Sequence, residues 1–301
     1  MKEKINTFLN IKINKQKKYI DEELKKTLSN IAAPKVLKKV MLYAVLNGGK
    51  RIRPFIVSEV SSLFKVSPSI YKYPAMAIEL AHSFSLIYDD LPCMDDDDLR
   101  RGKPSVHVKF NEANALLGGA SLLIYAYNIL GSKKFLVAEK KKLSILDSFA
   151  KAIGHEGMLA GQFLDLEAEN PKLKITLKKL SEIQGKKTGL LIAFCCYTGG
   201  LLGNANKKEL SILFDFGLIL GKIFQITDDL LDREGNQKLL GKKINKDETL
   251  NKATIIKVKG ISFAKRELKK NSYDAKEKLS RLEKNTQVLS QLVDYICSRT
   301  S

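Results

Sequence analysis

Apolar residues return every third or fourth position through eight segments of this chain: 36–64, 74–91, 110–130, 143–168, 175–202, 207–232, 250–283 and 285–299. That spacing is the helical period, and no long run alternates with the period of a strand. Gly, Pro and Asn punctuate the pattern at Asn47-Gly48-Gly49, Ser67-Pro68-Ser69, Asn170-Pro171, Gly203-Asn204 and Gly235-Asn236,. The opening stretch, MKEKINTFLNIKINKQKKYIDEEL, holds no apolar segment of signal-peptide length and reads as an amphipathic first helix,. No stretch resembles an interdomain linker. The expectation is an all-α fold: one domain over 1–301, with about ten helices in a bundle.

The 301 residues carry a formal net charge of +19, a balance that suggests nucleic acid or an anionic membrane as partner. The excess is mostly lysine, scattered as Lys15, Lys17 and Lys18, Lys38 and Lys39, Lys140 to Lys142, and Lys269 and Lys270. Scattered lysine reads as solvated helix faces. Three His and no Trp leave no zinc signature and no aromatic platform for bases, so no nucleic-acid partner is expected; a basic nucleic-acid-binding helical protein, suggested by net charge alone, is the alternative from another class. Cys93, Cys195, Cys196 and Cys297 are too irregular for a disulfide scaffold,. They point to reduced thiols and a cytoplasmic protein. The longest apolar run, 210–226, includes Asp215 and Lys222 and falls short of the ~20 residues of a membrane span. A buried helix is expected there, without stable membrane insertion.

Two acidic clusters stand out. In LIYDDLPCMDDDDLRRGKPSVH, 86–107, six aspartates fall between Asp89 and Asp98, and Arg100 and Arg101 follow. Pro92 should end the preceding helix near Leu91. Asp89 and Asp90 then sit in its last turn, where the helix dipole disfavours anions. A cation must offset this. A loop around Pro92 can bring Asp95 back towards Asp89, and such carboxylates suit Mg²⁺ with substrate phosphates. The second cluster, FQITDDLLDREGN, 224–236, spaces Asp228 and Asp232 by four on one helix face,. One such cluster alone is commonly a solvated helix end. Two, each closing an apolar helix, suggest one cavity with carboxylates on opposite walls and metal ions gripping a diphosphate between them.

With these motifs in this order the chain resembles the short-chain trans-prenyltransferases of the polyprenyl synthase family, over nearly its whole length. The resemblance is carried by GGKRIRP (48–54), HSFSLIYDDLPCMDDDDLRRGKPSVH (82–107), GQFLDL (161–166), KTG (187–189), FQITDDLLD (224–232) and LGKK (240–243). It implies the isoprenoid synthase fold: a large helical bundle around a central cavity, assembled as a homodimer. The implied reaction is head-to-tail condensation of an allylic diphosphate with isopentenyl diphosphate. The implied cofactor is Mg²⁺, several ions per site, for which Mn²⁺ can substitute.

The resemblance also implies roles. Asp89, Asp95 and Asp228 match metal ligands, supported by Asp90 and Asp232. Gly49, Lys50, Arg53, His82 and Arg101 match the isopentenyl diphosphate site. Arg100, Lys187, Thr188, Gln225 and Lys242 match the allylic site. Phe84, five residues before the first motif, matches the side chain that closes the tail pocket and implies a fifteen-carbon product. Geranylgeranyl diphosphate is the alternative product. From the residues themselves, Arg51, Arg53, Arg100 and Arg101 are four of eight arginines in a lysine-heavy chain, as if a planar fork were wanted for phosphate. His82 lies two turns before Asp89 and should share its face. Gln162 and Asp165 read either as a helix-capping or interhelical polar pair or as support near the diphosphates.

The chain departs from the family pattern at Gly119-Ala120, where Gly-Asp is usual, and at Ile255-Ile256, where Tyr-Pro is usual. Neither removes a metal ligand or an arginine. A terpene cyclase has no second-substrate anion site, so GGKRIRP and the arginine pair argue against one. A noncatalytic partner subunit should lack an aspartate motif, and both are intact.

Overall fold

The structure, a computed structural model, describes residues 2–234 and 252–299. The described helices are α1 (Lys2–Ser29), α2 (Lys35–Leu46), α3 (Ile52–Leu63), α4 (Pro68–Asp89), α5 (Val106–Phe110), α6 (Glu112–Gly131), α7 (Glu139–Ile153), α8 (Met158–Ala168), α9 (Leu177–Gln184), α10 (Leu190–Leu202), α11 (Lys207–Glu234), α12 (Ile255–Lys259), α13 (Ile261–Ser280) and α14 (Gln287–Cys297). The all-α expectation holds. The one extended feature described is a two-rung hairpin pairing Leu99 with Pro104 and Arg100 with Lys103. Its loop residues, Arg101 and Gly102, both have positive φ, +57° and +73°, as the tightest hairpin loops require.

Three long expected helices are interrupted. The segment 143–168 splits into α7 and α8, because a Cβ on Gly157 would lie 2.1 Å from the Ala152 carbonyl oxygen. The segment 250–283 breaks at Gly260, whose φ is +84°. Between α9 and α10 the chain runs on through one π-helical turn, Gly185–Gly189. Such turns are rare and occur often at functional sites.

Helix α4 packs against α3 and α6, and α10 packs against α3 and α11. Phe55, Phe135, Phe149, Phe194 and Phe216 are fully buried in this core. Helices α6 and α11 are long and apolar enough to cross a membrane, but half of the α11 window is buried inside the bundle. Ile255 anchors a smaller cluster with Leu180, Ile226 and Ala264, so the unusual Ile replaces packing with packing. Ala120 is exposed, and that departure touches no core residue.

Candidate active site

The chain folds back around Pro92 as expected. Asp95 N–H donates to the Asp89 carbonyl at 2.9 Å, and Asp97 N–H to that of Asp90 at 3.1 Å. The two outer carboxylates are engaged. Buried Asp90 receives the Arg100 guanidinium, with Nε at 2.9 and 3.2 Å from its two oxygens. Asp95 receives Lys252 Nζ at 3.0 and 2.9 Å. Asp89 is different: its carboxylate makes no hydrogen bond among the described residues. Burial pushes its pKa up; the charge of Lys187 opposes the shift and that of Asp95 adds to it. A partly buried carboxylate without a hydrogen bond, beside a second carboxylate, favours an added positive charge, and its hard oxygen donors fit a divalent cation,. Among the described residues no three such donors yet converge on one point.

The GGKRIRP loop builds the opposite pole. Gly48, Gly49 and Arg51 have φ of +92°, +105° and +53°, and this unusual path turns Lys50 and Arg53 into a cavity of about 700 Å³. His82, Arg101, Thr188, Gln225 and Asp228 line the same cavity. A Cβ on Gly49 would lie 2.7 Å from the Arg101 guanidinium carbon, so glycine leaves the space in which that group lies. Arg101 Nη1 donates to the Gly48 carbonyl at 2.5 Å, and its left-handed backbone aims it there. Arg53 Nε is buried with no hydrogen-bond partner, and burial lowers its pKa. Burial, and then Arg53, Arg101, Arg51 and Arg100, hold the His82 pKa well below its usual value. A cluster of cationic groups with a buried, unbonded Nε suits an anion,.

Arg51 borders the same cavity but is already paired. It is not a phosphate fork: its guanidinium is buried and reaches Asp21 of α1, Glu79 of α4 and the Val45 carbonyl, each at 2.6 Å. It ties three helices together behind the loop.

Lys187 lies on the π-helical turn. Its Nζ meets Asp165 of α8 at 2.7 Å, a polar pair between α8 and the turn. The turn is clamped by two glycines. A Cβ on Gly161 would lie 2.1 Å from Lys187 N, and one on Gly221 would lie 2.5 Å from Gly189 Cα. Thr188 lines the cavity of Arg53, whereas its neighbour Lys187 faces Asp165 and lies within electrostatic reach of Asp89. So the residues that the resemblance grouped for the allylic site divide: Thr188 and Gln225 line the cavity of Arg53.

Asp228 and Asp232 also divide. They sit a turn apart on α11, yet Asp228 lines the Arg53 cavity while Asp232 lines another, of about 570 Å³, with Asp229 and Lys252. The shared-face expectation for this pair holds on the continuous helix α11, and the two residues line different cavities. Asp229 caps α12, accepting Ile255 N–H at 2.9 Å. Arg299 Nη1 lies 3.5 Å from Asp228 and its guanidinium lies over the Phe224 ring. Lys242 lies outside the described residues.

Phe84 is buried, its ring 4.6 Å from that of Tyr88. Gly119 of α6 leaves the space for Tyr88, since a Cβ there would lie 2.7 Å from that ring.

Sequence reading missed Lys252, Arg299 and the role of Tyr88. Arg299 had a signal, being one of eight arginines in a lysine-rich chain. Lys252 also had one: it opens Lys252-Ala253-Thr254, a Lys-x-Thr segment just before the unusual Ile255-Ile256.

Helices closing on acidic motifs around a basic cavity define the isoprenoid synthase fold. A model of the polyprenyl synthetase family matches residues 34–296. The chain is 38% identical over 285 residues to farnesyl diphosphate synthase of Bacillus subtilis, covering 94% of this chain and 96% of that one. It is 37% identical to geranylgeranyl pyrophosphate synthase 4 of Arabidopsis thaliana, covering 88% of this chain and 72% of that one. Among solved structures, an apo FPP/GFPP synthase from Zymomonas mobilis superposes with a TM-score of 0.84 at 33% identity, over 99% of this chain and 100% of that one. The chain belongs to the polyprenyl synthetase family and is a prenyltransferase.

Proposed function

We propose that this enzyme joins isopentenyl diphosphate to dimethylallyl diphosphate and then to geranyl diphosphate, releasing diphosphate at each step and ending at farnesyl diphosphate. The observation that carries the reading is the pair of opposed charges: Arg53, whose Nε is buried with no hydrogen-bond partner, and Asp89, a partly buried carboxylate whose pKa burial raises. One asks for an anion and the other for a cation.

Lys50, Arg53, His82 and Arg101 take the isopentenyl diphosphate, with Gly49 giving Arg101 its place. Lys187 and Arg100 take the allylic diphosphate, and the motif alone assigns Lys242 to it; Thr188 and Gln225 face the cavity of Arg53. Asp89, Asp95 and Asp228 would hold Mg²⁺ or Mn²⁺, which when bound neutralises the charge that develops on the leaving diphosphate. Asp90 contributes by fixing Arg100, and Asp232 lies behind the second motif. Lys252 leaves Asp95 as the site loads.

The allylic C–O bond breaks and its electron pair leaves with the diphosphate. The double bond of isopentenyl diphosphate attacks the allylic cation, forming the new C–C bond, and a proton passes to the departing diphosphate. Lys187 and Arg100 are aimed where that negative charge grows. The apolar wall at Phe84 keeps water from the cation, and its ring with that of Tyr88 limits the tail to fifteen carbons. The outward residues of α6, Leu117 and Ile124, 63% and 67% exposed, form the apolar face on which two copies pair as a cytoplasmic homodimer.

The test is incubation with dimethylallyl diphosphate, labelled isopentenyl diphosphate and Mg²⁺, with products resolved by length. A fifteen-carbon product is expected. Absence of turnover would overturn the reading, and a twenty-carbon product would replace it with geranylgeranyl diphosphate synthesis.

A further inference from the structure

A second cavity, of about 370 Å³, is walled by Leu190, Phe194 and Tyr197 of α10 and Phe214 of α11. It shares no lining residue with the cavity of Arg53, and no role in the reaction falls to any of its residues. Its volume is that of a small-ligand pocket, and its lining is of the usual kind: mostly apolar and aromatic, with a few polar groups. Its charged groups are Lys151, Lys186 and Glu156, whose carboxylate lies 3.8 Å from His155 Nε2. Asp147 satisfies Lys151 at 2.8 Å. Lys186 is half-buried and its Nζ donates to the Glu156 carbonyl at 3.2 Å; no carboxylate pairs with it among the described residues. An ammonium answered by a neutral carbonyl, at the edge of an aromatic wall, is the head-group half of an amphiphile site.

The π-helical turn explains why this lysine is here. Adjacent residues of the turn diverge: Lys187 goes to Asp165, and Lys186 goes to the aromatic cavity. We propose that this cavity binds a single-chain amphiphile, its apolar tail on Phe194, Tyr197 and Phe214 and its anionic head on Lys186. The proposal stands independently of the reaction assigned above.

Farnesyl monophosphate and laurate are suitable probes, offered in EDTA and followed by equilibrium dialysis. Because the chain contains no Trp, Tyr197→Trp adds a fluorescence reporter confined to the cavity. Saturable binding of at least one probe is expected, about tenfold weaker in Lys186→Gln and unchanged in Asp89→Ala and Arg53→Ala. Uncharged farnesol should bind about tenfold more weakly than farnesyl monophosphate. Binding of both anions supports a site for any fatty-chain anion, and binding of the phosphate alone supports one selective for isoprenoids. Failure of both probes to bind wild type would overturn the proposal. So would binding that survives Lys186→Gln but is lost in Arg53→Ala, which would put the probe in the other cavity. If Tyr197→Trp fails to fold, dialysis of wild type against Lys186→Gln decides alone.

Discussion

Gly161→Ala is the smallest change that should damage catalysis without touching a functional side chain. The new Cβ would lie 2.1 Å from Lys187 N, 2.4 Å from its Cα and 2.7 Å from the Lys186 carbonyl carbon, where ordinary contact begins at 3.4 Å. All three neighbours are backbone, so no side chain can swing aside. Helix α8 and the π-helical turn must part by about an ångström, an overpacking of ~1–3 kcal/mol. Lys187 moves with its backbone, and a shift of ~1 Å in a positioned group can cost ~10²-fold in rate. We therefore expect kcat/KM for the allylic diphosphate to fall about 10²-fold, with the KM for isopentenyl diphosphate near wild type. Circular dichroism should report the native helix content and a melting point lower by several degrees. Native stability together with native allylic kinetics would refute the clamp.

Three further outcomes are expected from the same geometry. Asp89→Ala should lower kcat by about 10³-fold or more with the helical fold retained, and EDTA should abolish turnover that Mg²⁺ restores; near-native turnover in either case contradicts the reading of Asp89. Arg51→Met should cost ~3–5 kcal/mol in urea unfolding, because it strands buried Glu79, and Arg51→Met with Glu79→Leu should recover part of that loss. Phe84→Ala should lengthen the product towards twenty carbons, read by chromatography of the dephosphorylated prenols; an unchanged spectrum would remove Phe84 from the floor of the tail pocket.

The parts legible in the sequence were those encoded locally. Helical periodicity located α4 and α11, and Pro92 turned Asp95 back onto Asp89 because proline acts on its immediate neighbours. The motif arginines Arg53 and Arg101 meet in one cavity as their motif implied. What stayed hidden depends on distant packing. Arg51 looked like its neighbour Arg53, and only the arrival of Asp21 and Glu79 from α1 and α4 makes it structural. The π-helical turn leaves no periodic signature in 175–202, since it is set by Gly161 and Gly221 pressing from α8 and α11. Asp228 and Asp232 share a helix face by their spacing, and their spacing does not tell that they line separate cavities. The Lys-x-Thr segment marks Lys252 but not its partner, since Asp95 lies 157 residues away.

The central claim is that two diphosphates occupy two sites, one at Arg53 and His82 and the other at Lys187. The most direct measurement is the KM of each substrate in Arg53→Ala and in Lys187→Ala. Arg53→Ala should raise the KM for isopentenyl diphosphate and leave that for dimethylallyl diphosphate near wild type, and Lys187→Ala should do the reverse. If Arg53→Ala changed the allylic KM alone, or both variants changed the same one, the two-site map would be contradicted.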